Sequence, residues 1–338
     1  MSKQQNRFFK AAAVLACAAA PFGIEAIRRR FERRRYPPIG FFVEVGGRKM
    51  HVYTEGDGQK TLVFLPGLGT ASPAYDFMPL LARLRGQFRC VVPEPFGYGF
   101  SDLASAPRTA ANIVAEIREG LLAAGFRPPY VLVGHSIAGI YMLTWAAHYP
   151  SEVEAVIGDD TSVPIQVEDP VLNRPLRCAG LLLLLNRCGA LRLYNRIPAV
   201  SKRLMHMGSG DPSRCAAVRS LAGRNTMNRS ILDEALRVTQ NCRSAQRLHF
   251  PKTCRLLHLV AQSNVDSLPD GAQLDWLAEH QKQTLSVNEG RCVVLPGEHY
   301  LHWTQADAMA REIRAFLAAP QPAAPVSKVR RFTPGRKN

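Results

Sequence analysis

Several sequence features that mark well-defined protein classes are missing. Cys-x-x-Cys pairs do not occur among the 338 residues, which argues against a zinc ribbon and a thioredoxin-like redox site. Eight cysteines are too few for a disulfide-rich scaffold, and no internal repeat is visible. Hydrophobic residues make up 46% of the chain and charged residues 21%, as in ordinary globular proteins. A disordered chain, a collagen-like fibre and a polytopic membrane protein are therefore excluded.

Acidic residues are scarce relative to basic ones, and the net charge is +16. Residues 1–40, residues 163–255 and the tail from residue 319 carry +7, +11 and +5, whereas the rest of the chain is net acidic. An anionic lipid surface, a solvated helical face and nucleic acid would each account for this charge. Because no zinc-finger or RNA-binding motif is present, we expect no nucleic-acid partner and favour an anionic membrane surface.

A hydrophobic run long enough to span a bilayer is also missing. The N-terminal run Ala11–Ala20 falls short of the ~20 residues that a spanning helix needs. Three basic residues precede it within the first ten positions, and six arginines follow within residues 28–35. A secretory signal, a membrane anchor and a basic arm all fit this pattern. We interpret residues 1–36 as a membrane-associating segment on the cytoplasmic side, because cationic flanks oppose export, although export stays open.

The body of the chain has a regular pattern. Short apolar strands alternate with helix-period stretches over residues 37–162 and again over residues 256–318. This alternation predicts an α/β protein with a mostly parallel sheet and helices on both faces. Residues 163–255 have helical patterns without strands and indicate a helical insertion, whereas the basic, Pro-rich residues 319–338 are predicted to be disordered. The helical runs within the insertion are Leu181–Tyr194 and Ile231–Thr239.

One motif has the pattern of a nucleophile elbow. Gly134-His135-Ser136-Ile137-Ala138-Gly139 follows an apolar strand and opens a helix, so the turn would expose the Ser136 hydroxyl at the end of the strand. Here the chain resembles the α/β-hydrolase superfamily, whose motif is Gly-x-Ser-x-Gly, with Ala138 in place of the second glycine. The segment Val91–Asp102, which ends in Gly-x-Gly-x-Ser-Asp, is similar to the stretch after the fourth strand in that family.

The resemblance extends to an oxyanion hole. The strand Thr61–Leu65 and the following Pro66-Gly67-Leu68-Gly69 look like the family's loop after the third strand. This likeness implies that the backbone N–H groups of Leu68 and Ile137 bind a developing oxyanion. The loop begins with proline where the family usually has histidine, which leaves both backbone donors in place.

The resemblance also implies a general base and an acid that orients it. His299 follows the last apolar strand of the core, in the family's position for the base. The acid is either Asp160, after the sixth strand, or Asp266, after the seventh, and both fit the chain order Ser…Asp…His. We favour Asp160 because it follows its strand directly. His302 is interpreted as a packing or surface residue and His135 as structural. No zinc site is expected at His299 and His302.

A serine nucleophile narrows the chemistry. Dehalogenases and epoxide hydrolases of this fold use aspartate, so Ser136 predicts acyl transfer through an acyl-enzyme. The expected activity is that of a carboxylesterase or lipase acting on a small ester or a lipid, without a cofactor or a metal. Acyltransfer, peptidase activity and non-catalytic ligand binding are the alternatives. Residues 163–255 stand where the family carries its cap, and Leu181–Leu185 would line an acyl pocket, contact lipid or pack within that cap.

Overall fold

The computed structural model describes residues 3–165, 178–266, 275–319 and 326–331. Within them nine strands form one sheet in the order β1-β2-β4-β3-β5-β6-β7-β8-β9. The pairs β1–β2 and β2–β4 are antiparallel, and every later pair is parallel. The strands are β1 (Phe41–Val45), β2 (Arg48–Glu55), β3 (Thr61–Leu65), β4 (Arg89–Pro93), β5 (Tyr130–His135), β6 (Val153–Asp159), β7 (Arg255–Ala261), β8 (Glu289–Leu295) and β9 (Val326–Arg331).

Helices cover both faces of the sheet, as the alternating pattern predicts. The helices of the core are α2 (Pro73–Leu84), α3 (Ala110–Ala123), α4 (Ala138–His148), α11 (Gln262–Asp266), α12 (Trp276–Leu285), α13 (Leu301–Thr304) and α14 (Ala306–Ala318). Those outside it are α1 (Lys3–Arg35), α5 (Ala179–Arg187), α6 (Leu191–Tyr194), α7 (Pro198–Met207), α8 (Pro212–Asn225), α9 (Arg229–Leu236) and α10 (Val238–Ala245).

The core lies in two apolar layers because successive side chains of a strand point to opposite faces. On β3, Val63 packs with α3 and α4, whereas its neighbour Phe64 packs with α2 and α14. The five residues of β3 are buried, so this strand is apolar throughout rather than alternating. The chain reverses its direction of winding between β3 and β5, and the carboxyl ends of these two strands form the edge where sites of such sheets assemble.

The segment between β6 and β7 contains the helices α5 to α10 and no strand among its described residues. The predicted run Leu181–Tyr194 is interrupted at Gly189, whose φ of +78° ends α5 and separates it from α6. None of the five leucines of α5 is fully buried, and Leu181 and Leu184 are about half exposed. Of the three roles considered for Leu181–Leu185, packing within the insertion is therefore not met by Leu181 and Leu184.

The N-terminal segment forms the long helix α1, which lies against the insertion through its polar side. Arg192 of α6 pairs with Glu25 and Glu32 of α1, each at 2.8 Å, and Arg29 donates to the carbonyl of Asn186 at 2.7 Å. The opposite side of α1 exposes apolar side chains. Among the described residues, no helix combines the length and the hydrophobicity needed to cross a bilayer.

The C-terminal tail differs from the prediction of disorder over residues 319–338. Residues 326–331 form β9, which pairs in parallel with β8 from Glu289↔Val326 to Val294↔Arg331. Without β9, one edge of β8 would have unpaired backbone N–H and C=O groups. The β-branched residues Val326 and Val329 favour the extended backbone that this pairing needs. Residues 320–325 and 332–338 of that prediction lie outside the described residues.

Candidate active site

Ser136 lies in the sharp turn that joins β5 to α4. Its φ is +55°, a conformation that residues other than glycine rarely adopt. Three backbone hydrogen bonds hold it there: the N–H groups of Ser162 and Gly139 donate to the carbonyl of Ser136 at 2.8 and 3.0 Å, and Ser136 N–H donates to the carbonyl of Asp159 at 3.3 Å. Strained backbone of this kind persists where the surroundings over-determine it, which is typical of functional sites.

Small residues around Ser136 are required by close contacts. A Cβ on Gly134 would lie 2.6 Å from Cε of Met142, and one on Gly139 would lie 2.4 Å from the carbonyl oxygen of Ser162. Ala138, which departs from the usual motif, is the fully buried first residue of α4. The glycine that this close contact requires is therefore Gly139, one residue after the position of the second glycine in the family motif.

The loop after β3 lies against the elbow. A Cβ on Gly67 would be 3.2 Å from Cβ of Ser136 and 2.7 Å from Nδ1 of His135, so only glycine permits this approach. The N–H groups of Leu68 and Ile137 donate to no atom of residues 3–165, 178–266, 275–319 or 326–331. Two such N–H groups beside a serine at the start of a helix are suited to bind a negative charge.

His299 follows β8 and contacts Asp160, which follows β6. Nδ1 of His299 lies 2.6 Å from Oδ2 of Asp160, and Asp160 is fully buried while His299 is 35% exposed. The N–H groups of Ala261 and of the Trp276 indole each donate to Oδ1 of Asp160 at 3.0 Å. The Asn264 amide also donates to Oδ2. Four donors therefore fix this carboxylate.

The other acid considered from the sequence lies elsewhere. Asp266 is exposed at the end of α11 and accepts a hydrogen bond from Gln262 at 2.6 Å. Among the described residues, His299 has a carboxylate partner in Asp160 alone. The structure thus brings His299 together with the acid after β6 and not with the acid after β7.

His135, next to Ser136, connects the elbow to the loop that carries His299. The two imidazole rings lie 4.6 Å apart, and Nε2 of His135 is 3.1 Å from the carbonyl oxygen of His299. Burial lowers the pKa of His135 well below its usual value, and the neighbouring His299 and His302 lower it further. A neutral His135 therefore packs the base loop against the nucleophile turn.

A second cluster of charged residues is buried beside this site. It includes His302, which the sequence analysis interprets as a packing or surface residue. Nδ1 of His302 lies 2.5 Å from Asp159, and Nε2 lies 3.3 Å from Asp76; all three residues are fully buried. Burial alone would lower the pKa of His302, but Asp76 and Asp159 outweigh it and raise the pKa to about 10. His302 is therefore a buried cation between two acids.

This cluster brings together groups that could in principle hold a metal ion. Ligand atoms of His135, Asp159 and His302 lie within 4.8 Å of one another. A doubly protonated His302 has no lone pair for a metal, however, and its proton already bonds Asp159. The geometry is that of a hydrogen-bonded ion pair rather than a ligand set.

The Gly97-Tyr98-Gly99 turn also owes its glycines to close approach. A Cβ on Gly99 would overlap the buried Glu94 carboxylate, and one on Gly97, whose φ is +97°, would lie 2.4 Å from Cβ of Ser230. Glu94 accepts the N–H of Phe100 at 2.7 Å and lies 2.9 Å from Nδ1 of His51. The turn thus packs on the buried Glu94 and His51 side chains on one side and on α9 on the other.

Helix α9 carries a buried acid, Glu234, on the side of the loop that contains Leu68. The sequence motifs do not indicate this residue. Glu234 is fully buried and accepts the hydroxyl of Tyr141 at 2.6 Å. Burial raises the pKa of Glu234, against the opposing effect of this hydrogen bond. Burial and the nearby Glu234 carboxylate raise the pKa of the Tyr98 phenol, whose hydroxyl accepts the N–H of Gly69 at 3.3 Å. The insertion is therefore linked to the loop that carries Leu68.

The strand order, the turn after β5 and the His–Asp pair at the carboxyl edge together define an α/β-hydrolase fold. A family model described as alpha/beta hydrolase fold matches residues 60–179. The mouse serine hydrolase BPHL is 30% identical over 286 residues, which cover 81% of this chain and 85% of the mouse protein. The chain therefore belongs to the alpha/beta hydrolase family, as the sequence motifs predict.

Other relatives match over shorter stretches. The uncharacterized protein YbdG of Bacillus subtilis (strain 168) is 39% identical over 127 residues, which are 38% of this chain and 39% of that protein. Matches to the first curated relatives span between 39% and 44% of those proteins' lengths. The crystal structure of an epoxide hydrolase from Vigna radiata has a TM-score of 0.58 at 18% identity, covering 82% of this chain and 97% of that one. At this identity the likeness concerns the fold.

Proposed function

We propose that this protein is a serine hydrolase that cleaves a carboxylic ester through an acyl-enzyme on Ser136. The observation that carries the proposal is the pair of His299 and Asp160 at 2.6 Å, beside a strained serine turn. A buried acid that holds one imidazole nitrogen leaves the other nitrogen to accept a proton. His299 is partly exposed, as a base that must meet substrate has to be.

The proposed reaction has two halves. The Ser136 oxygen attacks the ester carbonyl while His299 takes the serine proton, and the oxyanion is bound by the N–H groups of Leu68 and Ile137. The tetrahedral intermediate expels the alcohol, which receives the proton from His299. Water then attacks the acyl-enzyme with His299 again as base, which releases the carboxylic acid and restores the Ser136 hydroxyl.

The residue at the elbow separates this proposal from neighbouring chemistries. An aspartate nucleophile would form an ester intermediate with an epoxide or an alkyl halide, whereas serine with an oxyanion hole serves acyl transfer. Mouse BPHL, which is named a serine hydrolase, supports this choice. Within acyl transfer an ester is preferred, and an acyltransferase or a peptidase would use the same residues with another acceptor or substrate.

Labelling with a fluorophosphonate tests the proposal without knowledge of the substrate. The parent protein should be labelled, and Ser136→Ala and His299→Ala should not be. Ser151→Ala and His249→Ala are matched controls, because both residues are exposed and distant from the elbow in sequence. Labelling that survives in Ser136→Ala, or that is absent from the folded parent, would oppose the proposal and favour a binding protein on this fold.

The acceptor is tested next on a series of acyl esters of increasing chain length. If hydrolysis by water exceeds acyl transfer to an added alcohol or amine, the result supports an esterase. Transfer to the added acceptor in preference to water would instead support an acyltransferase. Cleavage of peptides in preference to esters would support a peptidase.

We also propose that α1 associates with a membrane surface. Ile24, Ile27 and Phe31 lie on one side of this helix with 66%, 73% and 63% of their surfaces exposed. Their spacing of three and four residues forms one stripe, and arginines flank it. Apolar stripes with basic flanks are typical of helices that lie in the headgroup region of anionic membranes.

Flotation with vesicles of phosphatidylglycerol and phosphatidylcholine tests this association. Replacing Ile24, Ile27 and Phe31 by serine should abolish co-flotation. The matched control replaces the exposed Leu122, Leu236 and Leu285 by serine and should float like the parent. Equal flotation of both triple variants would refute the role of α1.

A further inference from the structure

A cavity of about 720 Å³ lies between α1, β2, the loop after Gly99 and the helices α5 and α8. Seven of the described residues that line it are lysine or arginine, and one, Asp102, is acidic. None of Ser136, His299 and Asp160 lines it. The cavity is therefore separate from the site proposed for hydrolysis, and its charge is strongly positive.

Most of these cations have no counter-ion among the described residues. Arg29 pairs with Glu25 at 2.6 Å, and Asp102 accepts the backbone N–H of Lys49 at 2.9 Å. For the other six cations, no described carboxylate lies within ion-pair distance. These six are Arg33, Arg48, Lys49, Arg187, Arg224 and Arg229. Like charges gathered around a cavity repel one another unless an anion lies between them.

Arg224 is more enclosed than the four exposed cations of this set. Its side chain is half-buried, its Nη2 donates to the carbonyl of Gly99 at 2.7 Å, and its guanidinium lies 5.8 Å from the Phe100 ring centroid. Its Nη1 donates to no atom of the described residues. Burial lowers the pKa of Arg224 to about 10, and Arg33 and Arg29 contribute to the lowering. The Arg224 guanidinium is thus held in place without an ion-pair partner among the described residues.

The walls of the cavity are not uniformly polar. Phe42, Leu103 and Leu183 line it together with the cations. A free inorganic anion would fill little of a space of this size, which is in the range of ~300–1,000 Å³ found for small-molecule sites. An anion joined to an organic group would use both the charged and the apolar walls.

We propose that this cavity binds a phosphate ester. Guanidinium groups match the oxygens of a phosphate in two-pronged hydrogen bonds, and several of them surround the cavity. The ester could come from the headgroup of an anionic phospholipid or from a soluble organic phosphate. Because α1 and the insertion both contribute arginines, the ligand would hold α1 on the insertion. The proposal is independent of hydrolysis at Ser136.

Equilibrium binding to the full chain tests this site. The probes are glycerol 1-phosphate in solution and vesicles of phosphatidylglycerol in phosphatidylcholine, with pure phosphatidylcholine vesicles as the reference. The main variant is Arg33→Gln with Arg187→Gln, because both side chains are exposed and their loss should not disturb folding. Arg224→Gln is the second variant, checked for folding by circular dichroism.

The control removes the same charge elsewhere. Arg243→Gln with Arg247→Gln changes two exposed arginines at the end of α10 that do not line the cavity. The cavity variant should weaken probe binding about 10-fold or more, whereas the control should bind like the parent. Binding of glycerol 1-phosphate identifies a soluble ester as the source, and binding of the vesicles alone identifies a headgroup. Equal losses in both double variants, or no binding of either probe, would overturn the proposal.

Discussion

The Nδ1 atom of His299 lies 2.6 Å from Oδ2 of Asp160, so the histidine after β8 meets the acid after β6 across the end of β7. Asp160 has a φ of +45° and accepts hydrogen bonds from Ala261, Trp276 and Asn264. Three of its four partners belong to β7 and the segments that follow it. The donors to Asp160 therefore come from β7 and from the helices α11 and α12.

Asp160→Asn should lower kcat about 10⁴-fold for the best ester found. An amide in place of the carboxylate would favour the wrong tautomer of His299 and would not stabilise its protonated form. The measurement is steady-state kinetics at pH 7–8, with circular dichroism to show that the variant folds.

Asp266→Asn is the matched control and should leave kcat unchanged, because Asp266 is exposed and bonded only to Gln262 among the described residues. A large loss of kcat in Asp266→Asn with little loss in Asp160→Asn would show that the assignment is wrong.

Much of the site could be predicted from local sequence. The elbow at Ser136 and the loop at Gly67 are encoded by short strands followed by small residues, and both lie where their motifs indicate. His299 likewise follows the last core strand in sequence. These features are local, so neighbouring residues in the chain determine them.

Local sequence favours Asp160 over Asp266 as the acid but does not decide between them. Asp160 and Asp266 both follow core strands, and what distinguishes them is the indole of Trp276 and the amide of Asn264, which approach Asp160 only in the folded chain. His302 is a similar case. Nothing beside it in sequence indicates that Asp76, 226 positions earlier, lies 3.3 Å away.

His302→Gln should destabilise the protein by about 3–5 kcal/mol, because it leaves the carboxylates of Asp76 and Asp159 buried without their cation. Urea unfolding at pH 7, followed by circular dichroism, measures the change. His249→Gln, at an exposed histidine, should stay within about 0.5 kcal/mol of the parent. A loss for His302→Gln as small as that of the control would contradict the buried ion pair.

The same cluster predicts a dependence of stability on pH. The pKa of His302 is raised from 6.5 to about 10 on folding, so the native state keeps a proton that the unfolded chain releases. The stabilisation is complete below pH 6.5 and is lost as the pH rises toward 10. The free energy of unfolding should fall by up to about 1.4 kcal/mol per pH unit in this window.

Urea titrations of the parent and of His302→Gln from pH 7 to pH 8.5 check the slope. This range lies below the usual pKa values of the thiols and phenols, many of which are raised by burial and would contribute at higher pH. The variant should show a flatter dependence than the parent. Parallel curves for the two proteins would mean that His302 does not carry the proton.

The insertion was predicted as a helical segment, but its attachments depend on contacts that sequence patterns do not encode. Asn228 caps α9 and also donates to the carbonyl of Gly97 at 2.7 Å, and Ser230 accepts the N–H of Ala104 at 2.8 Å. Together with Glu234, these contacts hold α9 on the loops around the site. They join segments more than 90 residues apart, where no local periodicity applies.

Two glycine-to-alanine substitutions distinguish the steric requirement of the elbow from the general effect of alanine on helix stability. Gly139→Ala would place a Cβ 2.4 Å from the carbonyl oxygen of Ser162, whose N–H holds Ser136. Overpacking of this kind costs about 1–3 kcal/mol, and a displaced Ser136 should lower kcat about 100-fold. Gly180→Ala in α5 meets nothing within 4 Å and should be neutral or stabilise by up to ~1 kcal/mol, with kcat unchanged. Urea unfolding and ester kinetics measure both effects, and full activity in Gly139→Ala would show that the turn does not depend on this contact.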